Sequence, residues 1–236
     1  VKTGSGAFMQ TQEDAEALAR TMTRIGQMAG KKTIAVITDM NEPLGTMVGN
    51  ALEVQEAIQV LKGEGEPRLT QVAMTLAAYM VMGAGTAQTK EEAWSMLQTT
   101  IDSGTALEKF AAFVQAQGGD PEYVYHPEKL PRAAIQEMVY PETSGYLTAC
   151  KNSEVGMASL ILGGGRVTKE SVIDLTVGIQ LFAHLGDPVS KEKPFACLYG
   201  NDPAKVAEAK SRLLQAYTIE KTPVSPKPVI REVILE

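Results

Sequence analysis

Apolar residues recur every three or four positions after Thr11, and charged residues lie between them. This spacing predicts an amphipathic helix that Thr11 is placed to cap. Residues 33–37 then form a β-branched run without polar alternation, which is typical of a strand buried on both faces of a parallel sheet. With a short strand before Gly4, the order strand, helix, strand indicates an α/β fold. The apolar face of the helix consists of Ala15, Leu18, Met22 and Ile25.

Helical periodicity continues through the next part of the chain, where glycines separate the segments as residues that end helices. Thr89 and Glu92 have the spacing of a capping box at the start of one of them. The predicted helices cover residues 51–62, 69–82, 90–103 and 105–117. Together with the strand at 33–37, they predict a sheet flanked by helices over residues 1–130, which we call the first region.

Prolines become frequent between residues 121 and 141, which indicates a boundary. We expect an α+β module over residues 131–236, called the second region. Its turn at residues 186–194, GDPVSKEKP, resembles that of lipoyl and biotinyl carrier domains and predicts a barrel-sandwich hybrid. The Met-Lys-Met hairpin of the carriers is absent, so a carrier role is not expected. The predicted elements are strands at 145–149, 195–199 and 229–235 and helices at 155–162 and 205–216.

Composition narrows the classes of partner. Hydrophobic residues make up 44% of the 236 residues, enough for a globular core. The net charge of −6, with basic residues scattered along the chain, argues against nucleic acid and anionic membranes and favours small metabolites. Cys150 and Cys197 have apolar neighbours and are expected to be buried free thiols, which fits a cytoplasmic protein.

The loop at residues 38–45 follows a predicted buried strand, where open α/β sheets bind ligands. The turn Gly4-Ser5-Gly6 allows two interpretations, a phosphate cradle or a tight connection from strand to helix. A dinucleotide-binding enzyme remains a weaker alternative because Met9 interrupts the G-x-G-x-x-G spacing. His126 and His184 are far apart and lack a nucleophile motif, so a catalytic triad is not expected; His126 is predicted to be a solvated loop residue and His184 to serve packing.

Several longer motifs resemble the pyrimidine-nucleoside phosphorylase and thymidine phosphorylase family, in its order and spacing. They include VKTGSGAFM, ITDMNEPLGTMVGNALEVQEAI, AQGGDPEYV, LGGGRVTKE and GDPVSKEKP. The resemblance implies a cytoplasmic pentosyltransferase that cleaves uridine, thymidine or deoxyuridine with inorganic phosphate as co-substrate. It also implies a homodimer, and it identifies the turn after Gly4 as a connection rather than the phosphate cradle. The match corresponds to the carboxyl-terminal part of the family, so residues 1–130 would be the remainder of its α/β domain.

The resemblance implies site residues only in part. Phe8 matches the aromatic residue that packs against the pyrimidine, and the carbonyl oxygens of Leu44 and Met47 with the carboxylate of Glu56 match a potassium site. Met47 replaces the usual Ala. No Lys-His-Ser phosphate loop occurs, and the base-binding Arg, Ser and Lys are not found. We therefore expect no catalytic residue in this chain, no activity of the chain alone, and a requirement for the family's amino-terminal portion. The alternative is a non-catalytic module that binds a ligand or a partner.

Overall fold

The computed structural model describes residues 1–235 as a mixed α/β protein, in agreement with the predicted class. The helices are α1 (Gln12–Met28), α2 (Asn50–Leu61), α3 (Pro67–Gly83), α4 (Lys90–Asp102), α5 (Thr105–Ala116), α6 (Glu122–Tyr125), α7 (Asn152–Leu162) and α8 (Pro203–Ala216). The strands are β1 (Lys2–Thr3), β2 (Ile34–Asp39), β3 (Met47–Val48), β4 (Ile135–Val139), β5 (Gly145–Cys150), β6 (Gly178–Leu181), β7 (Pro188–Val189), β8 (Ala196–Gly200), β9 (Tyr217–Glu220) and β10 (Ile230–Leu235).

The predicted elements of the first region are present, but the predicted apolar face of α1 is wrong except at Ala15. The buried face is Ala15, Ala19 and Thr23, because the small alanines pack against the sheet, whereas Leu18, Met22 and Ile25 are exposed. Helices α2 to α5 begin and end within two residues of the predicted bounds. Thr11 caps α1 by accepting a hydrogen bond from the backbone of Asp14. The Thr89 side chain likewise accepts a hydrogen bond from the backbone N–H of Glu92. The Glu92 carboxylate, in return, accepts a hydrogen bond from the backbone N–H of Gln88 rather than from that of Thr89. The capping box therefore closes one residue earlier than its sequence spacing predicts.

Strand β2 is the centre of the first sheet. It pairs in parallel with β1 and in antiparallel with β10, and α1 packs against the sheet. The run predicted at 33–37 is thus largely buried in β2, as expected, but the sheet is mixed rather than parallel because β10 runs antiparallel to β2. Its β10 neighbour comes from the far end of the chain. A small apolar cluster joins these elements: Ala15, Ala19, Ala35, Ile37 and Ile234.

The second region contains two antiparallel sheets, with strand orders β3-β6-β8-β4 and β7-β5-β9. Helices α7 and α8 pack against each other and share with these strands the largest apolar core of the protein. Neither sheet closes into a barrel in the part of the chain that the structure describes. The predicted strands and helices of this region are present, and both cysteines are buried and free, as expected.

The two regions exchange strands. Strand β3 of the first region pairs with β6 of the second, and β10 of the second pairs with β2 of the first. The division at residues 130 and 131 stays a prediction, since the sheets connect across it. No helix among residues 1–235 is both long and apolar enough to cross a membrane.

A cluster of four charged or titratable side chains also joins the regions, and we call it the Glu42 cluster. Arg68 Nη1 lies 2.7 Å from one carboxylate oxygen of Glu42, and His184 Nδ1 lies 3.1 Å from the other. The second ring nitrogen of His184 lies 3.6 Å from Glu66 Oε1. All four side chains are largely buried, and the N–H of Leu185 also donates to Glu42 at 3.0 Å.

This environment determines the charge of His184. The hydrogen bond to Glu42 raises the pKa of His184 above its ordinary value, and the charges of Glu42 and Glu66 act in the same direction. Burial and the charge of Arg68 oppose them. Asp187 accepts only the backbone N–H of His184, at 2.8 Å. His184 was expected to serve packing, but its ring forms an ion pair between the regions when it is protonated.

The first testable prediction concerns Gly178, where β6 passes β3. A methyl group there would overlap the carbonyl oxygen of Val48, which is backbone and cannot move aside easily. We expect Gly178→Ala to lower the free energy of unfolding by about 1–3 kcal/mol. The matched control is Gly156→Ala in α7, where an added Cβ meets nothing and where we expect a gain of about 0.5–1 kcal/mol. Urea unfolding measures both, and equal effects would contradict the proposed overlap.

The second prediction concerns pH. Because the folded-state pKa of His184 is raised, its stabilising effect is full below the unfolded value and is lost as pH rises through the folded value. His184→Asn should cost about 1–3 kcal/mol at about pH 6 and less at about pH 9. His126→Asn is the control, because His126 is exposed and outside the cluster. Urea unfolding at both pH values measures the difference; a cost of His184→Asn that is independent of pH would refute the ion pair.

Candidate functional site

The loop after β2 lies at the carboxyl end of the strand, as predicted, and begins with a buried aspartate. Asp39 pairs with Arg231 of β10 at 3.3 Å. Its two carboxylate oxygens also accept hydrogen bonds from the side-chain amide and the backbone N–H of Asn41, at 2.8 and 3.2 Å. Asp39 is therefore a structural anchor whose charge and hydrogen bonds are satisfied within the loop and sheet.

The backbone N–H groups of residues 4–7, in the turn after β1, are all paired within the protein and are not available to a phosphate. The N–H groups of Gly4 and Gly6 donate to the carbonyl oxygens of Met9 and Met40, at 3.1 and 2.9 Å. The N–H of Ser5 donates to the side chain of Asn41, and that of Ala7 donates to Gly4. A phosphate cradle needs such groups unpaired and pointing outward. The structure therefore confirms the interpretation of Gly4-Ser5-Gly6 as a connection between strand and helix.

Phe8 is presented by this turn with its side chain fully exposed, at 100% of its accessible surface. It lies at a cavity of about 560 Å³ whose apolar wall includes Leu18 and Met22 of α1. Phe8, Leu18 and Met22 are all exposed and line the same cavity, and a contiguous exposed apolar patch of this kind often marks a binding surface. The position fits an aromatic contact for a planar ligand.

The three residues matched to a potassium site come together in the structure. Leu44, Met47 and Glu56 line one cavity of about 580 Å³ between the loop after β2 and α2. Glu56 accepts hydrogen bonds from the backbone N–H and the hydroxyl of Thr46, at 2.6 and 2.7 Å. Its second oxygen lies 3.4 Å from the N–H of Met47.

Glu56 differs from the other buried acids near β2 in having no cationic partner. Asp39 has Arg231 and Glu42 has Arg68. Glu56 is only 3% exposed, and among residues 1–235 no Lys, Arg or His lies within ion-pair distance of its carboxylate, although Lys2 lines the same cavity. A buried carboxylate without a compensating charge is costly. The chemistry of this donor set, one carboxylate and nearby backbone carbonyls, therefore fits a hard monovalent cation.

Other kinds of metal centre receive no support. In the described part of the chain, no group of three or more His, Cys, Asp or Glu side chains is arranged to hold a metal ion. A zinc site or a carboxylate-rich divalent site needs such a group. The predicted cation site therefore depends on carbonyl oxygens as well as on Glu56.

A second cavity at the end of β2, of about 310 Å³, contains a thiol. It is lined by Asp39, Glu42 and Cys150 among other residues, and Lys227 lies at its edge. Burial raises the pKa of Cys150 to about 12, with the charge of Glu42 acting in the same direction. The thiol is therefore protonated near neutral pH and does not act as a nucleophile.

Sequence reasoning missed two features around the site. The Glu42 cluster joins residues that have no local spacing in common, so no motif marks it. Asn152 at the start of α7 donates to the carbonyl oxygen of Met40 at 3.2 Å, and its N–H donates to the hydroxyl of Ser5. These contacts attach the turn that carries Phe8 to the second region. His126 remains in an exposed segment, near Glu122 and Glu128, as predicted.

Two family models match the chain. Residues 1–107 match the α/β domain of a glycosyl transferase family, and residues 146–220 match the pyrimidine nucleoside phosphorylase C-terminal domain. The first match lies within residues 1–130 and the second within residues 131–236, and residues 108–145 lie outside both matches.

Curated relatives named pyrimidine-nucleoside phosphorylase are similar along the whole chain. Those of Staphylococcus aureus strains bovine RF122 / ET3-1, MSSA476 and MW2 are each 48% identical over 236 residues, which is 100% of this chain and 54% of each relative. The chain thus spans about half the length of the curated relatives it matches. With both family models in agreement, the chain belongs to the pyrimidine-nucleoside phosphorylase family.

Proposed function

We propose that this chain supplies the base-side wall and the cation site of a pyrimidine-nucleoside phosphorylase. The observation that carries the proposal is the 48% identity along all 236 residues to proteins of that name. The geometry supports it, because an exposed aromatic side chain and an uncompensated buried carboxylate lie at the carboxyl end of the first sheet, where ligands bind in α/β folds.

The proposed reaction transfers a pentosyl group from a pyrimidine nucleoside to inorganic phosphate. A phosphate oxygen forms a bond to C1′ of the sugar while the N-glycosidic bond breaks, and the base leaves with the bonding electrons and takes up a proton. Positive charge develops on the sugar, so that positioning and electrostatic stabilisation carry most of the rate. The family's phosphate loop has no counterpart in this sequence, which lacks any Lys-His-Ser string.

Within this reaction Phe8 is proposed to contact the pyrimidine ring. Its exposed face at the cavity beside Leu18 and Met22 excludes water from one side of a planar base. The contacts of Asn152 with the loop and of Ser5 with α7 hold the turn in place. The described residues therefore supply orientation rather than acid or base chemistry.

The proposed cation is potassium, held by the carbonyl oxygens of Leu44 and Met47 and by the carboxylate of Glu56. When bound, the ion supplies the positive charge that Glu56 lacks and joins the loop after β2 to α2. The chain's own residues then keep Glu56 in place through the two hydrogen bonds from Thr46. The side chain of Met47 does not prevent this, because its proposed ligand is the backbone oxygen.

The proposal includes a cytoplasmic homodimer. Two buried free thiols and the absence of metal-like cysteine spacing support a reducing compartment. The dimer follows from the resemblance to the family. Phosphate and a pyrimidine nucleoside are the proposed substrates.

The third prediction concerns activity. We expect the 236-residue chain alone to release no uracil or thymine from uridine or thymidine, because the phosphate loop is absent from its sequence. Phosphate-dependent release should appear after mixing with the part of the Staphylococcus aureus MW2 relative that the match leaves uncovered. Chromatographic measurement of the free base tests both statements. Release by the chain alone would show that this chain contains a phosphate site that its sequence does not reveal. A mixture that is stable but inactive would instead favour the alternative that the chain is a non-catalytic binding module.

In the active mixture, Phe8→Ala should raise KM for the nucleoside by about tenfold, the equivalent of about 1.4 kcal/mol of lost ring contact. Phe113→Ala is the matched control, because Phe113 is an exposed aromatic residue of α5 outside the cavity. An equal change of KM in both variants would contradict a contact between Phe8 and the base.

The fourth prediction tests the cation with the chain alone. Replacing choline chloride by potassium chloride at equal concentration should raise Tm by about 2–4 °C. This shift corresponds to a gain of about 1 kcal/mol in the free energy of unfolding from ion binding to the folded state. Glu56→Gln should abolish the difference. Glu53→Gln is the control, since Glu53 lies on the same helix and lines the same cavity but accepts the N–H of Gly49. A potassium effect that survives Glu56→Gln would place the ion elsewhere.

A further inference from the structure

A small polar cavity of about 210 Å³ shares Met47 as a lining residue with the Glu56 cavity. It is bounded by α2, by the segment before β4, and by the face of the sheet that contains β6 and β8. Its volume suits a group of a few heavy atoms, because ligand pockets for larger molecules run from about 300 Å³ upward. The polar side chains that line it are Gln55, Arg132, Gln136, Thr176, Gln180 and Tyr199.

Half of these polar groups are already paired. Tyr199 donates its hydroxyl proton to Gln180 Oε1 at 2.9 Å, and Gln55 donates to the carbonyl oxygen of Pro127 at 3.0 Å. Thr176 donates to Asp174 at 2.6 Å. The bond from Tyr199 fixes the orientation of the Gln180 amide, so its NH₂ group is left over as a donor.

The remaining groups are mainly donors. Among residues 1–235, the Gln180 NH₂ group has no protein acceptor, the Gln136 amide has no protein partner, and no carboxylate lies within ion-pair distance of Arg132. Arg132 and Gln136 are solvent-exposed and Gln180 is half-buried, so water can reach these donors and a ligand would have to replace it. No Asp or Glu lines the cavity, although the chain carries a net charge of −6. A guanidinium and two amide NH₂ groups around a space without carboxylates attract oxygen atoms that carry negative charge.

We propose that this cavity binds a small oxyanion, a carboxylate or phosphoryl group on a small metabolite. Arg132 supplies the charge and a planar pair of donors, and the amides of Gln136 and Gln180 complete the set. The site is separate from the proposed catalytic chemistry, which involves Phe8 and the Glu56 cavity. Gln55 and Glu56 are neighbours on α2 and face the two different cavities, and Met47 borders both. An occupant therefore contacts the strand and the helix that frame the cation site.

Inorganic phosphate and succinate, titrated separately into the ¹⁵N-labelled 236-residue chain at constant ionic strength, test the proposal. We expect saturable shifts of the side-chain NH₂ resonances of Gln136 and Gln180 and of the Nε–H resonance of Arg132. Arg132→Gln should weaken binding at least tenfold. Arg24→Gln is the control, because Arg24 is exposed on α1 and distant from the cavity in the fold; it should bind as the unmodified chain does.

A second variant, Gln180→Leu, removes the Gln180 amide at similar volume and should weaken the binding of both probes, while the backbone resonance of Phe8 stays where it is in the unmodified chain. Shifts with phosphate only identify a phosphoryl group, shifts with succinate only identify a carboxylate, and shifts with both support a general oxyanion site. Non-saturable shifts with both probes, or the same affinity in Arg132→Gln, would overturn the proposal.

Discussion

Buried carboxylates around the carboxyl end of β2 impose the constraint on which much of the architecture depends. A carboxylate removed from water requires a compensating charge or several hydrogen bonds. Asp39 obtains Arg231 from the last strand, and Glu42 obtains Arg68 from α3 and His184 from the second region. Each partner comes from a different part of the chain. The ion pairs of Asp39 and Glu42 therefore hold β10, α3 and the segment before β7 around the carboxyl end of β2.

Glu56 satisfies the same constraint differently, through hydrogen bonds alone. Its hydrogen bonds from Thr46 and Met47 orient the carboxylate but leave its charge uncompensated among the described residues. In the proposed function a bound cation supplies the charge that Arg231 and Arg68 supply to Asp39 and Glu42. Such an exchangeable partner would couple the loop after β2 and helix α2 to ion binding.

Helix α2 connects the functional features physically. One of its faces borders the Glu56 cavity, and the adjacent face borders the polar cavity with Arg132 and Gln180. The same helix packs near β3, which pairs with β6 of the second region. A displacement of α2 would therefore change both cavities and the sheet that contains β3 and β6. The turn that carries Phe8 is attached to the second region by Asn152, so it belongs to the same connected unit.

The sequence by itself determined the elements and the family. Periodicity located α1 to α5 and the buried strand β2 because apolar spacing and helix caps are local properties, and the family motifs brought Leu44, Met47 and Glu56 to attention together. Only the tertiary structure decided that β10 lies beside β2, that the backbone N–H groups of residues 4–7 are paired within the protein, and that Glu42 joins Arg68 to His184. These features depend on contacts between residues far apart in the chain, and such pairings leave no periodic or local signal in a single sequence.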